Sequence, residues 1–368
     1  MKRGLLVTIT LLALVASAGV AFAQDVQTAR PMFLAVPPHS YGPVRQADPA
    51  AQLPQWTFPF TSSFNNRQYK PVIVGTDPSQ NNSTTTVTVG VIPLKMVYGP
   101  NNGNMTFDPN TPYINNVSTV QMLEKSPIFQ NYIDWVQGGT DLGSTQYIDA
   151  YQRGDFWSSV QSNSNYHIKV KFVLGPTQTI NVANGQGLVE TNPLGGGYKI
   201  GTYDFGTLDN QLQQIIRKYS QIQPNVLPFF ITYNVYVTSG GCCIGGYHSA
   251  NGIQPGGQSY GYTTIMEQAQ NGQAIFSQDI SAASHELGEW LMDPFTNNPS
   301  PCPSNGILEI GDPLEGEANY GTYPYKFQGF TFHPQDLVFI TWFGAPPSTS
   351  VNNFVTFQGH KLGVCQVG

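Results

Sequence analysis

Charge of either sign is what this chain most lacks. Asp, Glu, Lys and Arg make up 10% of its 368 residues, 16 basic against 22 acidic, for a net charge of -6. No stretch is basic enough to grip a phosphate backbone, which excludes nucleic acid as a partner. Cysteine is absent ahead of Cys242. Long apolar runs are missing as well: beyond the N-terminal stretch that ends near Val20, none is long enough to cross a bilayer as a helix.

What remains is polar without being charged. Asn, Gln, Thr, Gly and Tyr are plentiful, a composition that suits a β-rich extracellular protein held together by hydrogen-bonded polar surface. Met1-Lys2-Arg3-Gly4, the apolar run from Leu5 and then Ala21-Phe22-Ala23 have the three regions of a secretory signal peptide over residues 1–23, with cleavage expected after Ala23. Gln24, not a cysteine, stands directly after that point, which argues against a lipid anchor, and the mature chain is expected to be secreted, extracellular or periplasmic. In an oxidising compartment Cys242, Cys243, Cys302 and Cys365 are expected to form two disulfides. Adjacent cysteines rarely bond to each other, so the favoured scheme takes Cys242 and Cys243 each to one of Cys302 and Cys365. The alternative makes Cys242 and Cys243 metal ligands.

Chemistry concentrates in one place. Residues 281–293 carry His285, Glu286 and Glu289 in the pattern His-Glu-x-x-Glu, just ahead of Asp293-Pro294. Ser277 and Asp279 offer a helix start and Pro294 a stop. At about 100° per residue His285 and Glu289 share a face, with Asp293 further along it. Ile280, Ala283, Leu287, Trp290 and Leu291 take the opposite side, which predicts a buried back and a polar stripe turned to a cleft, with room beside Gly288. Two ligating side chains one turn apart grip a single metal, and a glutamate next to the first ligand activates a water as general base, the role this assigns to Glu286. Read blandly, His285 and Glu289 are a helix-surface pair worth a few tenths of a kcal/mol.

Downstream, residues 306–317 hold Glu309, Asp312, Glu315 and Glu317, the densest acidic cluster of the chain. Close carboxylates repel unless solvated or neutralised, so Glu309 and Asp312 are candidate third and fourth ligands, or a calcium site, or else a solvated acidic turn. His248 in a glycine-rich loop at 240–248 is the next candidate, ahead of His333 and His360. His39 reads as solvated and His167 as an outward-facing strand residue.

Residues 24–69, rich in Pro, Gln and Ala, read as an extended arm or a pro-segment, with the ordered domain over 70–368. Strands are expected at 71–74, 86–93, 166–173, 226–237, 260–266, 337–343 and 353–364, and helices at 117–129 and 207–219. The fold class is α+β, a mixed α/β arrangement with a mixed sheet against the motif helix, braced by disulfides.

The motif resembles that of the zincin metallopeptidases, whose helix reads His-Glu-x-x-His, with His285 matching their first ligand and Glu286 their general base. Glu289 stands where zincins have the second histidine, and an added anionic ligand weakens the metal's acidification of water. Together with Asp293-Pro294, Glu309-Ile310-Gly311-Asp312 and the Cys243–His248 segment, it is also similar to a group of secreted bacterial proteins and to plant exordium, or phosphate-induced, cell-wall proteins. That second resemblance covers roughly residues 225–368. Leu314 stands where those proteins carry a cysteine, so their disulfide scheme does not transfer. The zincin resemblance implies a zinc-dependent hydrolase of peptide or protein substrates, bound between the helix and the strand near Tyr260 to Met266. The exordium resemblance implies a non-catalytic protein that binds cell-wall material.

Overall fold

A computed structural model describes residues 29–39, 51–252, 256–267, 274–304 and 306–367. The expected signal peptide lies outside them. Eleven strands form one mixed sheet: β1 (Met32–Ala35), β2 (Thr84–Tyr98), β3 (Met105–Phe107), β4 (His167–Leu174), β5 (Gln178–Val182), β6 (Val189–Thr191), β7 (Lys199–Asp204), β8 (Val226–Tyr233), β9 (Val235–Thr238), β10 (Ile244–Asn251) and β11 (Gln258–Ile265). The order along the sheet is β4-β2-β8-β11-β10-β9-β7-β6, with β3 and β5 also on β2 and β1 on β10. β4, β8 and β5 run parallel to β2, β11 runs parallel to β8, and β10 reverses direction beside β11.

Period-two alternation distributes side chains to two cores. In β8, Phe229 and Ile231 enter one core and Phe230 the other. The second core is closed by the helix at Phe205–Lys218, whose Leu208, Leu212 and Ile216 form one stripe and whose N-terminus is capped by Asp204. Against the first core pack the helices at Tyr147–Asp155 and Ser281–Met292, the latter carrying the motif. Burial of Leu287, Trp290, Leu291 and Met292 contributes about 1.5–3 kcal/mol each toward holding that helix in place.

Several expectations shift. The helix expected over 117–129 is confined to Thr119–Glu124, because Ser118 and Gln121 form a capping box and Pro127 follows closely. The single strand expected over 226–237 is two, broken at Asn234 with φ 53°. The glycine-rich loop is largely strand β10, so His248 has a fixed position. No strands form at 337–343 or 353–364: short 3-10 turns and one bridge between Val338 and Thr356 stand there, with Gly344 at φ 89° and Asn352 and Asn353 at positive φ bending the chain. Apolar spacing in that segment reports buried turns packed on the first core.

The described part of the expected arm is docked. β1 runs parallel to β10, and His39 pairs with Asp209 at 2.9 Å while meeting the Tyr260 hydroxyl at 2.9 Å, so it is half-buried and partnered. Two disulfides form, but not the expected ones. Cys302 joins Cys365, closing a loop of 63 residues, worth about 4 kcal/mol by chain entropy. Cys242 joins Cys243, their Cα atoms 3.1 Å apart across a cis peptide. The reason is placement: Cys302 and Cys365 both lie against the Trp342 backbone, whereas Cys242 and Cys243 sit at the head of β10.

Candidate metal centre

The motif helix begins at Ser281, not at Ser277 or Asp279. Both of those residues hold positive φ, and the Asp279 carboxylate accepts from the Ile280 and His333 amides instead of capping the helix. All twelve residues of the helix are buried. Its polar stripe therefore faces protein, not an open cleft, and the space beside Gly288 is filled by Leu337.

Alternation along β10 points Gly246, His248 and Ala250 toward this helix and Tyr247 away from it. His248 thereby joins the stripe. Its Nδ1 lies 3.4 Å from Glu286 Oε2, 3.8 Å from Glu289 Oε2 and 4.0 Å from Glu309 Oε2. His285 Nε2 lies 3.0 Å from Glu289 Oε2 and 3.7 Å from Asp312 Oδ1. Two triads, His248-Glu289-Glu309 and His285-Glu286-Glu289, each bring three ligand-type atoms within 4.8 Å of one another. His248, His285, Glu286, Glu289 and Glu309 are at most 2% exposed, while Asp312, at 29%, is the accessible member.

Each imidazole has one nitrogen tied and the other turned to the carboxylates. Nε2–H of His248 donates to the Asp293 carbonyl at 3.1 Å, leaving Nδ1 inward. Nδ1–H of His285 donates to Gln335 Oε1, and Gln335 Nε2 donates to the Gly311 carbonyl at 3.1 Å, which fixes the amide's orientation and leaves His285 Nε2 inward. Among the described residues, His285 Nε2 and Glu286 Oε1 have no hydrogen-bond partner, the 3.0 Å approach of Glu289 being poorly aligned for one. A Cβ at Gly246 would collide with Glu286, and one at Gly311 with the His285 ring, so both glycines make close approach possible.

The protons report the excess of negative charge. Burial opposes the charged form of His285, but Glu289 outweighs it and holds the imidazolium to about 10. Glu289 is likewise opposed by burial and outweighed by His285, which drops it to about 2. Burial lifts Glu286 to about 7, and burial followed by repulsion from Glu289 pushes Glu309 and Asp312 well above the usual carboxylate range. His248 is raised too, burial being overcome by Glu286. Protons here take the place of a cation.

Each triad offers a donor set that fits a divalent metal: one imidazole nitrogen whose second nitrogen is anchored, and carboxylates that lack a Lys or Arg partner at Glu286 and Glu289 among the described residues. Of the residues expected at the site, His285, Glu286, Glu289, Glu309, Asp312 and His248 converge. Asp293 does not present its carboxylate: the Asn297 and Asn298 amides donate to it at 3.0 Å, and it positions His248 through its carbonyl. Cys242 and Cys243 are disulfide-bonded, not ligands. His333 pairs with Asp279, His360 with Asp336 and His167 with the buried Asp149. Gln335 and Phe33 were passed over in the sequence, since neither residue type nor spacing marks them. Phe33 stacks on the His285 ring at 3.8 Å between centroids. Gly257-Gln258-Ser259-Tyr260-Gly261 has the spacing of a nucleophile elbow, but Ser259 lies inside strand β11, buried, accepting from Trp290 Nε1 at 2.9 Å.

No family model, curated protein or solved structure matches this chain. Among the described residues no helix is long and apolar enough to cross a membrane.

Proposed function

We propose that this chain is an exported, metal-dependent hydrolase of peptide bonds. Glu289, which both triads share, would hold a zinc-class cation together with His285 on one side or with His248 and Glu309 on the other, and Asp312 stands at the margin. The observation that carries the reading is the pair of anchored imidazoles, each turning its second nitrogen to Glu289 beside an unpartnered Glu286 oxygen. Two inward nitrogens favour zinc over calcium, which takes oxygen ligands almost alone. When bound, the cation supplies Lewis acidity to a water and to a substrate carbonyl. Glu286 serves as the base: burial lifts its carboxyl to about 7, which matches proton transfer near neutral pH, and the missing side chain at Gly246 makes room for its Oε1. Gln335 and the Asp293 carbonyl orient the two rings.

The test is to purify the mature protein, measure bound metals and follow proteolysis of unfolded casein by wild type and Glu286→Gln. Bound zinc, with hydrolysis lost in the variant, is expected; a protein that takes up no divalent metal overturns the reading. One observation favours a second reading, a structural metal in a non-catalytic, wall-associated protein: the cluster is enclosed, with five of its members at most 2% exposed. Tight metal binding without turnover in any form of the chain would select it.

A further inference from the structure

β11, next to which the zincin resemblance puts the substrate, has no free edge: β8 and β10 flank it. β10 is different. Ile244 is paired on both sides, with Val237 of β9 and with Met32 of β1, and along the edge of β10 turned away from β11 the partners among the described residues are residues 30–39. This segment tracks β10 from end to end. Arg30 N donates to the Cys242 carbonyl and Arg30 O accepts from Cys243 N, both at 2.8 Å; Met32 N donates to Cys243 O at 3.0 Å; His39 N donates to Ala250 O at 2.8 Å. Between these clamps Phe33, Leu34 and Ala35 lie beside Gly246, Tyr247 and His248.

The covered strand carries the candidate centre's own parts, His248 and the Gly246 gap for Glu286. Alternation sends Met32 and Leu34 to the second core and Phe33 the other way, onto the His285 ring, where Phe276 also meets it at 5.0 Å. The Phe33 amide donates to Glu315 Oε1 at 2.9 Å, tying the strand to the acidic segment on the far side. An extended peptide added to a sheet edge by main-chain bonds, with one side chain in a pocket, is a general mode of peptide recognition. Here the chain's own N-terminal segment occupies that position.

We propose that residues 29–39 are a resident plug in a peptide-binding groove, and that the groove takes unfolded polypeptide presenting a bulky apolar side chain where Phe33 now sits. The catalytic use of the groove rests on the hydrolase reading; peptide exchange in it does not. While the plug is seated, Phe33 shields His285 and the centre is latent. Displacement of the strand exposes the β10 edge and the ring together.

The test uses a fluorescent synthetic peptide of residues 29–39 added to three zinc-loaded proteins: the intact chain, its Phe33→Asp variant, and a chain carrying a protease recognition sequence between residues 40 and 50 that is cut after folding. The cut chain answers the question should the variant fail to fold. Both altered proteins are expected to bind the peptide at least about tenfold more tightly than the intact chain, unfolded casein to compete it away, and a peptide carrying the Phe33→Asp change to bind about tenfold more weakly. Peptide binding no stronger in either altered protein than in the intact chain, or casein that leaves the peptide in place, overturns the plug. Casein hydrolysis as fast in the intact chain as in the cut one also overturns it while leaving the hydrolase reading standing. Exchange and competition without hydrolysis in any form would sustain the groove and sink the hydrolase.

Discussion

Asp149 and Glu289 are both carboxylates on buried helices, and they are satisfied in opposite ways. Asp149, on the Tyr147–Asp155 helix, accepts from the Ile168 amide at 2.6 Å through one oxygen. Its other oxygen meets the Thr145 hydroxyl, His167 at 2.7 Å and Lys169 at 3.5 Å. Hydrogen bonds and the Lys169 ammonium surround a single carboxylate, and the arrangement staples the helix to β4. Glu289 takes one amide, from Gly311 at 3.0 Å, and otherwise shares two imidazoles with Glu286, Glu309 and Asp312. Excess negative charge that only protons offset is costly for a structural brace, because each carboxyl must be kept neutral against its ordinary ionisation. It becomes favourable once a divalent cation replaces the protons.

The largest expected effect breaks that contrast directly. Glu289→Gln should weaken zinc binding by more than about 100-fold, exceeding the usual loss from an outer partner, and should also lower the metal-free stability, because the buried His285 imidazolium loses its counter-ion. Asp149→Asn should leave zinc affinity alone and cost about 3 kcal/mol, because Lys169 is left beside a neutral group. Chelator competition and thermal unfolding of both variants separate them, and a reversed result would erase the distinction. Next, Gln335→Leu, which frees the His285 ring, should lower zinc affinity by about 10- to 100-fold, read by the same competition.

A pH series sharpens the contrast further. The folded pKa of His285 is raised from 6.5 to about 10, so its protonated form stabilises the metal-free protein below about pH 6.5, and that contribution is lost as pH rises toward about 10. Glu286, raised from 4.5 to about 7, acts in the same direction over its lower window. Metal-free stability should therefore fall across pH 7 to 10 while zinc affinity rises, since zinc requires the unprotonated rings. Unfolding with and without zinc measures both; a flat zinc affinity would remove the imidazoles from the ligand set. The smallest effect concerns a third buried carboxylate. Asp155 accepts from the Ile340 amide at 3.0 Å, its second oxygen has no hydrogen-bond partner among the described residues, and burial raises its pKa well above the usual range. Its stabilising protonated form is lost as pH rises above the ordinary carboxylate pKa. Asp155→Asn should remove that slope and gain about 1–2 kcal/mol at pH 8 in urea unfolding, with none of Glu289's effect on zinc.

Legibility in the sequence followed locality. The Phe205–Lys218 helix was readable because Leu208, Leu212 and Ile216 repeat at helical spacing, and β4 because Tyr166 to Val173 alternates. The C-terminal segments misled because apolar residues buried in turns have the same composition as strands. The cysteine pairing differs for a related reason: adjacency in the chain argues against a Cys242–Cys243 bond, and proximity in space has no sequence signature. At the candidate centre Glu309 and Asp312 were found by their density in a chain poor in charge, but the anchoring roles of Gln335 and Asp293 carry no signature of their own.

By itself the sequence determined whatever helical geometry makes inevitable: His285 and Glu289 one turn apart, Glu286 beside them, Leu287 and Leu291 behind. The rest was decided by tertiary structure, because sheet register sets His248 on the inward face of β10 and Phe33 over the imidazole, while the packing of non-strand segments sets Glu309 and Gln335 against the helix. Those contacts join residues remote in the chain, and their free energy depends on packing and charge that no local pattern encodes.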